Sequence, residues 1–252
     1  MKLFQRIFFA AVLSGLAAGL AMSAVQQWRV APLILEAETY ENAAPAAEHS
    51  HDAGTAAATT EAAAPADDHH HDEEAWAPQD GTERVVYTVL ANVLGAIGFA
   101  FLLAAVSVLS GIEITTRNGL IWGLGGFIAL QLAPAVGLPP ELPGMPAADL
   151  VARQAWWIGT AIATGAGILA IARLRNWTGL AIAVVLIAAP HVIGAPPAPH
   201  EPSGVPAHLA TAYAANALAT GALFWLIAGP LLGWLNERFA KSEAFALKGA
   251  HA

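Results

Sequence analysis

Phe127–Trp157 reads FIALQLAPAVGLPPELPGMPAADLVARQAWW, and the fold follows from how this stretch is read. An apolar segment closes at Ala133-Pro134, a proline-rich loop carries Glu141, and the chain re-enters an apolar segment through Arg153, Gln154, Trp156 and Trp157. Proline lacks an N–H and fixes φ, so Pro139, Pro140, Pro143 and Pro146 predict an ordered, non-helical cap between two helices. A plain connector has a similar composition. Tryptophan and arginine at the re-entry point are the residues expected where a span meets lipid head groups.

Working outward, the whole chain has the same character. Of its 252 residues, 56% are hydrophobic and 12% charged, which is too apolar for a water-soluble domain and predicts a polytopic membrane protein in contact with the bilayer. Cysteine is absent, so disulfides and thiolate metal sites are excluded. The net charge of −8 is concentrated in one loop, and no basic patch suits nucleic acid.

Upstream, Ile7–Val25 is an uncharged run long enough to span. Gly15 and Gly19 give it a small-residue packing face, whereas Ala21-Met22-Ser23-Ala24 also fits a signal-peptide cleavage site. A long polar segment follows. It opens with APLILEAETYE, carrying Glu36, Glu38 and Glu41, and continues into an Ala/Thr/His/acid stretch read as disordered. Five further apolar segments are Val85–Leu109, Gly119–Val136, Ala155–Ala172, Gly179–Ile193 and Ala210–Leu235. The expected fold is an all-α integral membrane protein with about six transmembrane helices arranged as hairpins. Its expected regions are 1–42 (first span and acidic motif), 43–84 (His/acid-rich insert), 85–236 (membrane core) and 237–252 (tail).

Six spans put both termini on one side. Lys2, Arg6, Arg117, Arg173, Arg175, Arg238, Lys241 and Lys248 fall there, against Arg29, Arg84 and Arg153 opposite, so the first side is expected to be cytoplasmic. The outer side then becomes acidic and histidine-rich.

An internal repeat of 56 residues is visible without a gap. Ala133-Pro134-x-Val136 falls on Ala189-Pro190-x-Val192, and Pro140, Pro143 and Pro146 fall on Pro196, Pro199 and Pro202. Ala163-Thr164-Gly165-Ala166 falls on Ala219-Thr220-Gly221-Ala222. Spans 3–4 and 5–6 are therefore expected to be parallel copies of one hairpin, with the first two spans as a diverged third copy. Three hairpins about one axis would bring three outer loops together.

Those loops hold the candidate ligands. Imidazole with carboxylate suits Co²⁺, Ni²⁺ or Zn²⁺, and a thiol-free site can bind an ion yet release it. The metal candidates are His191, Glu141, Glu36, Glu38, His200 and His208. His191 is the sharpest, because it follows Pro190 at the outer end of a span and an ionisable group at membrane depth is a functional candidate. Its bland alternative is an interfacial histidine bonded to a backbone carbonyl. His200 and His208 also read as ordinary surface residues. His49, His51, His69, His70 and His71 could gather metal weakly or form an inert linker. Asn92, Gln131 and Asn216 are the intramembrane polar groups, either ties between helices or a hydrated path. There is no Walker A, GxSxG or HExxH pattern, so ATP hydrolysis and protease chemistry have no foothold and no enzyme is expected.

At LILEAETYE (33–41), WGLGGFIALQLAPAVGLPPELPGMPAADLVARQAWW (122–157) and APHVIGAP (189–196) the sequence resembles the CbtA family. The resemblance covers most of the chain except the insert around 43–78. It implies a polytopic membrane protein, cobalt as substrate, and a companion called CbtB, a small single-span protein with a histidine-bearing tail; the expected location is the bacterial inner membrane, and no tightly bound cofactor is expected. By family pattern, Glu36, Glu38, Gln131, Glu141, Arg153, Gln154, Trp156, Trp157 and His191 lie in the matching motifs. The expected function is a membrane subunit for divalent metal uptake, with homo-oligomerisation left open; the alternative is a non-transporting scaffold or metal-sensing partner.

Overall fold

The computed structural model describes residues 3–43, 78–200 and 202–249. These form seven helices and, among the described residues, no strand. They are α1 (Leu3–Arg29), α2 (Ala31–Ala43), α3 (Thr82–Ser110), α4 (Gly119–Gly137), α5 (Leu150–Leu174), α6 (Trp177–Ile193) and α7 (Ala207–Gly249). Within α4, Ile128–Leu132 forms a π turn. His49, His51 and His69–His71, with most of the predicted insert, lie outside the described residues.

Among the described residues, five helices are long and apolar enough to cross a membrane: α1, α3, α4, α5 and, in α7, Ala207–Ser242. The segment expected as the fifth of six spans, α6, has 17 residues and is the shorter apolar helix. At 1.5 Å per residue it reaches about 26 Å, just under the hydrocarbon thickness of about 30 Å. Leu109, Trp177, Val192 and Ile193 are at least 80% exposed, as lipid-facing side chains would be.

Local chemistry sets the helix ends. Gly111 closes α3 in the left-handed region, at φ 64°, and donates its N–H back to the last turn. Asp149 caps α5 by accepting from Ala152 N at 2.8 Å, so this helix starts five residues before the expected Ala155. Asn176 caps α6 in the same way, accepting from Gly179 N at 2.8 Å. The short turn between them folds α6 back along α5. The proline-rich loop, residues 138–149, is non-helical as expected.

Small residues bring the helices together. Gly15 and Gly19 of α1 lie against Ile97, Ala96 and Val93 of α3; a Cβ on Gly15 would come within 2.5 Å of the Ile97 Cα. Gly119, Gly123 and Gly126 of α4 lie against Trp225, Gly229 and Pro230 of α7. At the centre of this packing Trp225 is 1% exposed, with the Phe224 and Phe99 rings at 4.9 and 5.6 Å.

Two expectations change here. The stretch opening the polar segment is helical: Pro32 cannot donate to Trp28, which breaks α1 at Val30, and the chain continues as α2. The second hairpin is not packed like the first. α6 lies along α5, and α7 lies along α1 and α4, so the 56-residue correspondence holds in sequence without a matching pair of packed hairpins.

Candidate functional site

Three segments from distant parts of the sequence meet at one end of the bundle, here termed the acidic end. Ala37 of α2, Leu142 of the proline-rich loop, and Val205 and Leu209 at the start of α7 are all buried together. Leu33, Ile34, Met145 and Tyr213 pack around them. Leu142 is held there by a turn in which Met145 N donates to its carbonyl at 3.2 Å. The expected convergence of three loops is therefore present, built on an apolar cluster.

Polar groups flank that cluster, and two of its carboxylates, Glu38 and Glu141, are each held by an arginine. The Arg84 guanidinium grips both oxygens of Glu38, with Nη1 donating to Oε2 at 3.1 Å, and Nη1 also reaches Asp80 at 3.1 Å. Arg153 Nη2 donates to Glu141 Oε2 at 2.7 Å. Glu141 is 19% exposed and Glu38 29%, so both pairs are partly withdrawn from water. In such surroundings an unpaired carboxylate would be costly, and the arginine offsets that cost. Asp149, which shares the loop, is used as the cap of α5.

His191 stands slightly apart, at the corner where α4, α5 and α6 end. Its ring lies edge-on to Trp156 at 5.9 Å between centroids. Trp156 Nε1 donates to Pro190 O at 3.2 Å, and the indole packs onto Gly137, where any Cβ would strike it. Arg153 lies one turn nearer the start of α5, so His191 and Glu141 share this end through Trp156. Glu36, His200 and His208 are exposed. Among the described residues, no group of three or more His, Cys, Asp or Glu side chains could hold a metal ion, so the candidate ligands do not form a preassembled cage.

The intramembrane polar residues separate into two kinds. Asn92 Nδ2 donates to Gln26 Oε1 at 2.5 Å and Ser23 Oγ at 3.2 Å, tying α3 to α1. Gln131, in the π turn, accepts from Trp225 Nε1 at 3.1 Å and fills the space beside Gly221. On α7, Tyr213, Asn216 and Thr220 recur at helical spacing between the apolar cluster and Gln131, and so form one polar stripe. Asn216 Nδ2 donates within its own helix to Ala212 O at 2.7 Å, leaving its Oδ1 toward other partners.

A family model described as "Probable cobalt transporter subunit (CbtA)" matches residues 4–237. The chain belongs to the CbtA family. No curated protein and no solved structure matches it. The CbtA match includes both ends of the bundle and every candidate ligand named above. Its description points to cobalt transport, with cobalt as a fitting substrate, and to a class of protein that is generally not enzymatic. A CbtA protein is described as a subunit, which implies a partner. The apolar helices fit a multi-pass membrane protein.

Sequence reasoning missed Arg84 and Arg153 as partners of the candidate ligands, and it missed α2. Val30, Leu33, Ile34 and Ala37 recur every three or four residues, which was the available signal for an amphipathic helix.

Proposed function

We propose that this chain is the membrane subunit through which Co²⁺ enters from the acidic end, in a bacterial inner membrane with both termini cytoplasmic. The observation that carries this reading is the meeting of Glu38, Glu141 and the His208 turn around one apolar cluster, with His191 one helix corner away. The basic residues of the other end support the orientation. In this reading α6 is also a span, the fifth of six in chain order, matched to the bilayer by its length and by Trp177 at its end.

Co²⁺ first meets Glu36, His200 and His208 at the surface, then exchanges with the arginines for Glu38 and Glu141, with His191 as the nitrogen ligand. A site that assembles only when the ion displaces an arginine binds it weakly enough to pass it on. The α7 stripe of Tyr213, Asn216 and Thr220 then leads toward Gln131. The membrane potential drives the step, at about 4.6 kcal/mol for a divalent ion per 100 mV. The chain itself holds no tightly bound cofactor and catalyses no covalent reaction.

The test is uptake of labelled Co²⁺ by metal-starved cells at matched protein levels. Glu141→Gln and His191→Ala are each expected to reduce it about tenfold or more, the usual scale for losing a group from a metal site. Uptake indifferent to both changes would remove the acidic end from the path. No uptake under any condition would favour a non-transporting scaffold.

The partner implied by a subunit has a surface suited to it. A groove of about 560 Å³ runs at membrane depth between α3 (Leu102, Val106) and α5 (Ile158, Ile162), with Gly125 and Ala129 of α4 as its floor. We assign it to the single span of a CbtB-like subunit, because a small-residue floor allows a helix to approach closely. A Cβ on Gly125 would meet only the Ile168 Cγ2, at 3.8 Å. Gly125→Leu is therefore expected to leave the chain folded and abolish co-purification of that subunit. Undiminished co-purification would place the partner elsewhere.

A further inference from the structure

The opposite, basic end of the bundle contains a second built site. α1, α3, the 111–118 turn and α7 line an open cavity of about 290 Å³, a space equal to about ten water molecules. Its polar lining is Arg6, Ser107, Glu113 and Asn236. Its remaining wall is largely aliphatic, including Ile7, Val108 and Leu232.

Two polar atoms of this lining are buried without a partner: Nε of Arg6 and Oδ1 of Asn236. The orientation of Asn236 is fixed, because its Nδ2 donates to Ile114 O at 3.0 Å and a carbonyl can only accept. Ser107 offers no relief, since its hydroxyl donates to Ile112 O at 2.7 Å. Arg6 and Glu113 form no ion pair among the described residues. Leaving such groups unsatisfied costs the full desolvation of each. The two buried atoms call for an occupant that presents an anionic acceptor to Arg6 and a donor to Asn236; Glu113, exposed at the rim, favours positive charge beside it, and the remaining wall is apolar.

We propose that this cavity binds the phosphoethanolamine head group of a membrane lipid. Its phosphate takes Arg6, through the charge-assisted side-on geometry that guanidinium favours. Its ammonium donates to Asn236 Oδ1 and faces the Glu113 carboxylate. Its acyl chains leave along Ile7 and Val108 into the bilayer. A phosphoglycerol head group would satisfy Arg6 but bring no cation to Glu113, and free phosphate would lack the apolar contacts. The bound lipid joins α1, α3 and α7 at the end where the proposed path must open. This inference is independent of the cobalt reading.

Native mass spectrometry and thermal denaturation of the full chain in detergent test it. Phosphatidylethanolamine is expected to remain bound and raise the Tm, while phosphatidylglycerol and inorganic phosphate at equal concentration do not. Arg6→Gln is expected to weaken retention about tenfold, the scale of one charged hydrogen bond. Glu113→Gln should weaken phosphatidylethanolamine without affecting phosphatidylglycerol; the Glu113 side chain is exposed, and the turn uses only the residue's backbone carbonyl, which accepts from Asn118 Nδ2, so folding is spared. Equal retention of both lipids, retention indifferent to Glu113→Gln, or no lipid retained would overturn the proposal.

Discussion

Gly123→Val is expected to leave almost no folded protein in the membrane. A Cβ at this position would overlap the Trp225 carbonyl oxygen and sit 3.5 Å from the Gly229 Cα, so the obstacle is backbone on a neighbouring helix and cannot turn aside. Trp225 is also the most deeply buried large side chain, and separating α4 from α7 would strip it of its ring contacts. Overpacking a tight core costs about 1–3 kcal/mol when side chains can give. Here the cost is expected to be about 3 kcal/mol or more, over a hundredfold in the folded-to-unfolded ratio. Between helices in lipid no hydrophobic gain offsets the lost packing. Gly98→Ala is the control, because a Cβ there meets nothing within 4 Å, so stability should be kept or raised by about 0.5–1 kcal/mol through the better helix propensity of alanine. Thermal unfolding in detergent, followed by tryptophan fluorescence, reads both. Equal stability of the two variants would mean that α4 and α7 do not pack through Gly123.

Arg153→Gln is expected to lower the Co²⁺ concentration giving half-maximal uptake about tenfold, while reducing the maximal rate. The guanidinium that holds Glu141 would repel an arriving ion by about 4 kcal/mol for each unit of its charge at 4 Å and an effective dielectric of 20. Partial exposure of the pair, at 29% and 19%, screens much of that. A residual of about 1.4 kcal/mol still corresponds to tenfold. Freed Glu141 would hold the ion longer, so release slows as capture improves. Uptake kinetics across a Co²⁺ series separate the two effects. An unchanged half-saturating concentration would mean that the ion does not visit Glu141.

Much of this architecture was legible in the sequence because lipid imposes a simple rule on composition. Uninterrupted apolar runs located α1, α3, α4, α5 and α7, and Gly15/Gly19 announced a close-packing face on α1, which the fold sets against α3. Helix starts were less legible. α5 begins at Leu150 because Asp149 caps it, and a capping bond overrode the apolar boundary at Ala155. The acidic motif was read as polar because three glutamates mask the apolar face of α2, which closes on Leu142 and Leu209. The ion pairs could not be read at all. Glu38 and Arg84 stand 46 positions apart, and only the folded helices bring them together. Prolines repeated in register were visible, but which helix packs beside which is decided by glycine surfaces, and these differ between α4 and α6.

The π turn before Pro134 gives one helix two orientations. In an uninterrupted α-helix Gly137, eleven positions after Gly126, would return to almost the same azimuth, since each residue advances about 100°. Gly126 faces Trp225 of α7, yet Gly137 faces Trp156 of α5 and Ala195. The residue accommodated at Ile128–Leu132 resets the phase by about one residue's rotation, while Pro134 has no N–H to miss. α4 thus works as a crankshaft: its first half is keyed to α7 and its second half to the corner that holds His191. Removing one residue from Ile128–Leu132 would straighten the shaft and swing Gly137 away from Trp156, uncoupling the acidic corner from the core without altering a single ligand.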